Sequence, residues 1–348
     1  MNDTNEDYAM LISRAMKLAG AALLIILGGL APSPVSAEAI TVGVTKNTVS
    51  PALLVAQEKG YFAAEGLQSE MKILVAGAEE VAVAVASGAL DFGGAGTSAG
   101  LFNLAGQVRI IAGGIHEAPS FQGLAMVVAN RAWEGGLKTY PDLGRHLKSY
   151  AVTQVGGPTH YALVLAAAKY GFELSQVRLV PLQSAPNEMA ALIGGQVDAT
   201  APPTSAAAHA IQQGSVKLLG YVGDETPFQF GAVFASLRTT NQRHDTVERF
   251  LRAYRKAARL YHDAFIGPDG TRRDGEDAPE LLALLGKAIG LGVEDVKLGI
   301  AYQDAEGRLD VKDVLRQIDW FRSQGMVKPG VDANAVIDKR YVASLPER

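Results

Sequence analysis

The chain has 348 residues, with 36 acidic and 32 basic side chains, a formal net charge of −4 and no cysteine. So mild a balance gives no electrostatic footing for nucleic acid or an acidic membrane surface. The missing cysteines exclude disulfides, thiolate metal sites and a lipid-anchored N-terminal cysteine. No His/Asp/Glu cluster has metal-ligand spacing, so neither metal nor cofactor is expected.

Residues 1–37 read as an export signal. Arg14 and Lys17 supply a positive edge, an apolar run extends from Leu18 to Leu30, and Val35-Ser36-Ala37 offers a small-x-small cleavage site. The run falls short of the roughly 20 residues a membrane span needs, and Pro32 and Pro34 follow it. Cleavage near Ala37 and a periplasmic mature protein are expected.

The mature part opens with "ITVGVT" (40–45), a β-branched apolar run and hence a strand. Ser50-Pro51 then starts a helix, with serine as cap and proline at the first helical position, ending near Gly60. "MKILVAG" (71–77) is a second strand and 79–87 a second helix. "ALDFGGAG" (89–96) is a short third strand entering a glycine-rich loop. A third helix starts near Thr97 or Ser98, and "VRIIAGG" (108–114) is the fourth strand. From 150 the pattern recurs: "YAVTQV", a helix from Pro158, "VRLVPL", a helix from Asn187, "QVDATA", a helix from Thr204, then "VKLLGYVG". Strands alternating with helices imply mostly parallel sheets with covered faces. Residues 245–345 are helical by pattern. "TVERFLRAYRKAARLYHDAF" (246–265) has a basic outer face of Arg249, Arg252, Arg255, Lys256 and Arg259, read as solvated.

The recurrence is an internal repeat. "SGALDFGGAGTSA" (87–99) and "GGQVDATAPPTSA" (194–206) align at an offset of 107, pairing Asp91 with Asp198, Thr97 with Thr204 and Ser98 with Ser205. The same offset sets Pro51 on Pro158 and Phe121-Gln122 on Phe228-Gln229. Two similar α/β lobes follow, joined by "GLAMVVAN" (123–130) and "GAVFASL" (231–237) as crossing strands. Lobe one is expected to hold 38–124 and 231–348, and lobe two 125–230.

Ligands of open parallel sheets sit beyond the carboxyl ends of the strands. Four such turns precede helix starts: Lys46–Ser50, Gly94–Ser98, Gly156–His160 and Ala201–Ser205. Facing lobes would bring them to one cleft, where backbone N–H groups and helix dipoles suit a small anionic or polar solute. Two catalytic readings compete for the Gly94–Ser98 turn. Gly94-x-Gly96-x-x-Ala99 imitates a dinucleotide fingerprint but follows the third strand instead of the first. Gly96-x-Ser98-x-Gly100 imitates a hydrolase elbow, and an exported serine hydrolase is the alternative function. The second copy keeps the Thr-Ser pair without the elbow glycines, which favours capping and binding over a nucleophile.

Several stretches resemble one family. "VAQEKGYFAAEGL" (55–67) looks like its Gly-Tyr-Phe-x-x-Glu-Gly-Leu signature, "ALDFGGAGT" and "GGQVDATAP" resemble its two Asp-bearing stations, and "GGPTHYALVLAAAKYGFE" (156–173) resembles the opening of its second lobe. The family is the periplasmic substrate-binding proteins of ABC importers for nitrate, taurine and aliphatic sulfonates, with thiamine-pyrimidine-binding relatives. The resemblance runs over about 40–320. It implies a two-lobed type II periplasmic-binding-protein fold, a hinge of crossing strands, a helical C-terminal extension on lobe one, and delivery of solute to a membrane permease. A monomer is expected, and no enzyme. The family's pyrimidine-making branch is cysteine-rich at its active site, unlike this chain.

The resemblance places ligand contacts at Lys46, Asn47 and Thr48, at Gly96, Thr97 and Ser98, and at Gly157, Thr159 and His160. Sulfonate binders of the family often carry an aromatic and an acid where this chain has Pro203 and Thr204, implying a roomier pocket and a larger carboxylate or aromatic acid. Lys46 is the one lysine or arginine in the four turns and a candidate partner for a ligand carboxylate. His160 would make anion binding pH-dependent. His116, Gln122 and Phe228 are further candidates near the crossings. Asp91 and Asp198 are read as fixing strand-to-loop geometry.

Overall fold

A computed structural model describes residues 37–75 and 77–346. The export-signal reading therefore lies outside the described residues, Ala37 excepted. The first sheet begins with β1 (Glu38–Thr45), β2 (Leu67–Leu74), β3 (Phe92–Gly96) and β4 (Val108–Gly113). β1 buries Ile40, Val42 and Val44 and lies between β2 and β3, parallel to both. The second strand starts four residues earlier than the apolar run suggested. β2 pairs along its whole length with β1, Glu38 opposite Leu67, and as an outer strand it carries polar residues that mask its start.

β3 explains the glycine-rich stretch. None of Gly93, Gly94 and Gly96 has a positive φ, so backbone freedom is not what these positions require. A Cβ on Gly93 would come within 2.7 Å of the Phe234 ring and 2.8 Å of Val81, and one on Gly94 would strike Leu53 and approach Ser50 Oγ at 2.8 Å. The missing side chains let the Pro51–Glu58 and Ala78–Ala86 helices close on the strand.

After β5 (Ile115–Glu117) the chain crosses to the second sheet, which contains β6 (Ala125–Ala129), β7 (Ser149–Val152), β8 (Arg178–Pro181), β9 (Ala199–Thr200) and β10 (Val216–Tyr221). It returns through β11 (Phe228–Gln229) and β12 (Gly231–Ser236), and β13 (Tyr302–Gln303) follows. The two main sheets have orders β2-β1-β3-β12-β4 and β8-β7-β9-β6-β10. These are the same topology, each with one antiparallel strand, β12 or β6, supplied by the chain after it has crossed. The repeat also survives in side chains. Asp91 accepts from the Thr41 N–H at 2.9 Å, as Asp198 does from the Ser149 N–H at 2.9 Å. Both aspartates fasten a neighbouring parallel strand, Asp91 within β1 and Asp198 at the first residue of β7.

At the crossings β11, β5 and β13 form a third, small sheet. The Val311–Ser323 helix is bolted to it by a buried amide network. Gln229 donates from Nε2 to Gly231 O (2.6 Å), and its own N–H reaches Asp313 Oδ2 (2.9 Å). Gln317 Nε2 donates to Gln229 O and to Asp313 Oδ2, both at 2.8 Å, while Gln317 Oε1 accepts from Thr97 Oγ1 at 2.7 Å.

The long His244–Phe265 helix packs on lobe one, where Phe250 stacks on Phe92 with centroids 3.8 Å apart. Its basic face is largely paired: Arg249 with Glu38, Arg252 with Glu65 and Arg259 with Glu306. The C-terminal extension is not confined to lobe one. The Val293–Leu298 helix packs against the Thr204–Gln212 helix of the second sheet's half.

Candidate functional site

All four of the turns singled out in the sequence contribute to one cavity of about 670 Å³ between the lobes. Lys46, Asn47 and Val49 follow β1, and Gly96 ends β3. Pro158 and Thr159 open the helix after β7, and Pro203 and Ser205 follow β9. Two further turns join them, through Val75, Gly77 and Ala78 after β2 and Gln183–Pro186 after β8. These too are carboxyl ends of parallel strands, so the rule that located the first four covers them. A third wall had no sequence signal: Ile289, Gly290 and Leu291, where the Ala278–Ile289 helix ends on a left-handed glycine. Phe230, leading into β12, closes the floor.

The lobes touch directly beside this cavity. Ala99 N–H donates to Gly156 O at 2.8 Å, and Pro158 lies so close to Gly96 that a Cβ there would stand 2.8 Å from the proline ring. Backbone donors expected to serve a ligand are in part engaged in such bonds. Thr97 N–H goes to Phe230 O at 2.8 Å and Thr204 N–H to Gly123 O at 2.9 Å. Side chains therefore carry more of the cavity's polarity than the turns suggested.

Of the candidate residues, Lys46, Asn47, Gly96, Thr159 and Pro203 line the cavity. Asn47 Oδ1 accepts from Val49 N–H (3.0 Å) and Thr45 Oγ1 (2.8 Å), so the polar capacity left to this side chain is that of its amide nitrogen, a donor. Thr159 Oγ1 is buried without a hydrogen-bond partner. The other candidates sit elsewhere. Thr48 packs toward Gly299, Thr97 is fully buried in the hinge network, and Gly157 and Thr204 stand at helix starts outside the lining. Ser98 is fully buried, and its Oγ accepts from Leu101 N–H at 3.1 Å as a helix cap. It is thus no exposed elbow nucleophile. Ser50, in contrast, makes no side-chain cap.

His160, the residue after Thr159, is buried and does not line the cavity. Its Nδ1 accepts from Gly156 N–H at 3.1 Å and its ring meets Trp320 edge-on. Burial pushes its pKa down to about 4, so the ring stays neutral near pH 7 and does not supply the expected pH dependence. His116 and Phe228 line a separate cavity at the hinge, with Glu117, Lys312 and Arg316. Gln122, half-buried, lines neither cavity.

Two buried carboxyl groups stand outside the lining of this cavity. Glu188, in the first turn of the Ala185–Ile193 helix, accepts from Thr200 Oγ1 at 3.0 Å, and burial raises its pKa to about 7. Glu117, at the crossing, accepts from Leu124 N–H at 3.1 Å and is pushed up to about 8 by burial. Among the described residues no group of three or more His, Asp or Glu is placed to hold a metal ion, and no helix is long and apolar enough to cross a membrane.

Residues 47–264 match the family described as NMT1/THI5 like. In fold, the chain is similar to the alkanesulfonate-binding protein SsuA of Xanthomonas axonopodis pv. citri bound to MOPS. The TM-score is 0.68 at 20% identity, over 86% of this chain and 98% of that one. It is similar to the periplasmic aliphatic sulphonate binding protein SsuA of Escherichia coli, with a TM-score of 0.67 at 20% identity over 91% and 95%. The periplasmic nitrate-binding protein NrtA of Synechocystis PCC 6803 gives 0.64 at 17% identity over 86% and 85%. No curated protein matches the chain in sequence.

Proposed function

Because the chain belongs to the NMT1/THI5-like family, we propose that it is a periplasmic solute-binding protein. It captures a small anionic or polar organic molecule, a sulfonate, carboxylate or relative, between two lobes and hands it to the membrane permease of an ABC importer. Lobe one comprises 38–124 and 231–348, lobe two 125–230, and the mature protein acts as a monomer without cofactor. The observation that carries this reading is the meeting of strand-end turns from both sheets on one cavity. The double crossing at β5 and β11 beside it provides the hinge. The solved structures named above, from binding proteins for sulfonates and nitrate, lend support by likeness of fold. Lys46, Asn47, Gly96, Thr159 and Pro203 are the proposed contacts, with Ser205 and Gln183 added. Thr48, Thr97, Ser98, Gly157, His160 and Thr204 support them from behind, and His116, Gln122 and Phe228 belong to the hinge.

Each ligand hydrogen bond contributes about 1 kcal/mol net and more to a charged group. A micromolar complex needs about −8 kcal/mol, so several contacts and buried apolar area must act together, and closure is a ligand-driven population shift. Native mass spectrometry of freshly purified protein tests the reading: a bound small organic acid, lost on denaturation, is expected. Protein that carries no solute and is stabilised by none of a panel of sulfonates and carboxylates would overturn it.

A further inference from the structure

The cavity between the lobes has a chemistry that narrows its occupant. Among its lining residues Lys46 is the single charged side chain, and no carboxylate lines it. No ion pair or side-chain hydrogen bond engages the Lys46 ammonium among the described residues. Thr159 adds a buried hydroxyl with no partner. Most of the remaining wall is apolar: Val49 and Leu74 from lobe one, Pro186 from lobe two, Phe230 from the floor, and Ile289 and Leu291 from the third wall. The volume, about 670 Å³, lies within the roughly 300–1,000 Å³ that encloses drug-sized ligands.

Resting on the solute-capture reading, we infer that this protein selects a monoanion with a sizeable hydrocarbon body and rejects zwitterions and dianions of the same length. One ammonium compensates one negative charge. A second anionic group would be desolvated without a partner, and so would a ligand ammonium, because no acid faces the cavity; an uncompensated buried charge is strongly unfavourable. The apolar wall gains only when hydrocarbon displaces water from it, which an ion as small as nitrate does not do.

Four eight-carbon probes isolate these features by titration calorimetry on the purified protein: octanoate, octanamide, 8-aminooctanoate and octanedioate, with taurine and nitrate as small references. Octanoate is expected to bind at least tenfold more tightly than each of the others. In Lys46→Met the preference for octanoate over octanamide should collapse to within about twofold. Equal binding of 8-aminooctanoate or octanedioate would overturn the inference, as would an undiminished preference for octanoate in Lys46→Met. Tight binding of taurine or nitrate with none of octanoate overturns the assigned class and leaves solute capture standing. Silence from all six, with no co-purified solute, overturns both.

Discussion

Replacing Gln317 with leucine keeps the side chain's size and removes its three hydrogen bonds. They run to Thr97 Oγ1 at 2.7 Å, to Gln229 O at 2.8 Å and to Asp313 Oδ2 at 2.8 Å. At about 1 kcal/mol each, the loss is about 3 kcal/mol. The former partners retain alternatives. The one Thr97 hydroxyl proton turns to Phe230 O at 3.2 Å or is shared with Gln229 O at 3.3 Å, and Asp313 Oδ2 keeps Gln229 N–H at 2.9 Å. That holds the cost to about 2–3 kcal/mol instead of the larger penalty of an orphaned buried group. For a chain of this size the melting temperature should drop by about 5 °C, read by far-UV circular dichroism at pH 7. Gln317→Glu sets a second carboxylate against Asp313, whose own pKa is already raised by burial. It should fall further at pH 7 and recover on acidification. A drop of less than about 1 °C in Gln317→Leu would refute the reasoning, because the helix would then not be fastened to the hinge through this residue.

Glu117 titrates near 8 in the folded chain, well above its ordinary 4.5. The folded state therefore holds a proton that the unfolded state releases, and this stabilisation is lost as pH rises from about 4.5 to 8. Glu117→Gln should gain on the wild type by about 1.4 kcal/mol per pH unit across that window, and parallel pH–stability curves would contradict this. Gly96→Ala places a methyl against Pro158 and should wedge the lobes apart, raising the radius of gyration in small-angle scattering; an unchanged radius with unchanged melting temperature would count against the interlobe contact. Asp91→Ala and Asp198→Ala remove equivalent strand fasteners, and each should cost about 1–3 kcal/mol in urea unfolding. A neutral result for either breaks the claimed equivalence.

The repeat was the most legible part of the fold, because duplicated loops keep residues whose backbone roles recur. Asp91 and Asp198 were recognisable for that reason. The binding turns were legible through a rule about strand ends, yet only at positions flagged by glycine or a Thr-Ser pair. Gln183 and Ser184 escaped because nothing in "LQSAP" marks it as a cleft turn. The Ile289–Leu291 wall escaped because its helix reads as an ordinary amphipathic helix. His160 misled in the other direction. Its position was right beside the cavity, but the ring is buried against Trp320, and burial is a tertiary fact that spacing does not carry. The opening glycines misled through their likeness to phosphate loops, whereas their function is to admit Leu53 and Val81 against β3.

The strand exchange between the sheets sets an order of events in folding. β4 pairs in its sheet only with β12, so residues 108–113 have no neighbour to settle against until residues 231–236 exist. The first-made half of the molecule must stay open-edged while the second is synthesised, and the long closure is entropically slow. A chain cut between β6 and β7 leaves each sheet short of one inner strand, β12 or β6, so neither half is an autonomous unit.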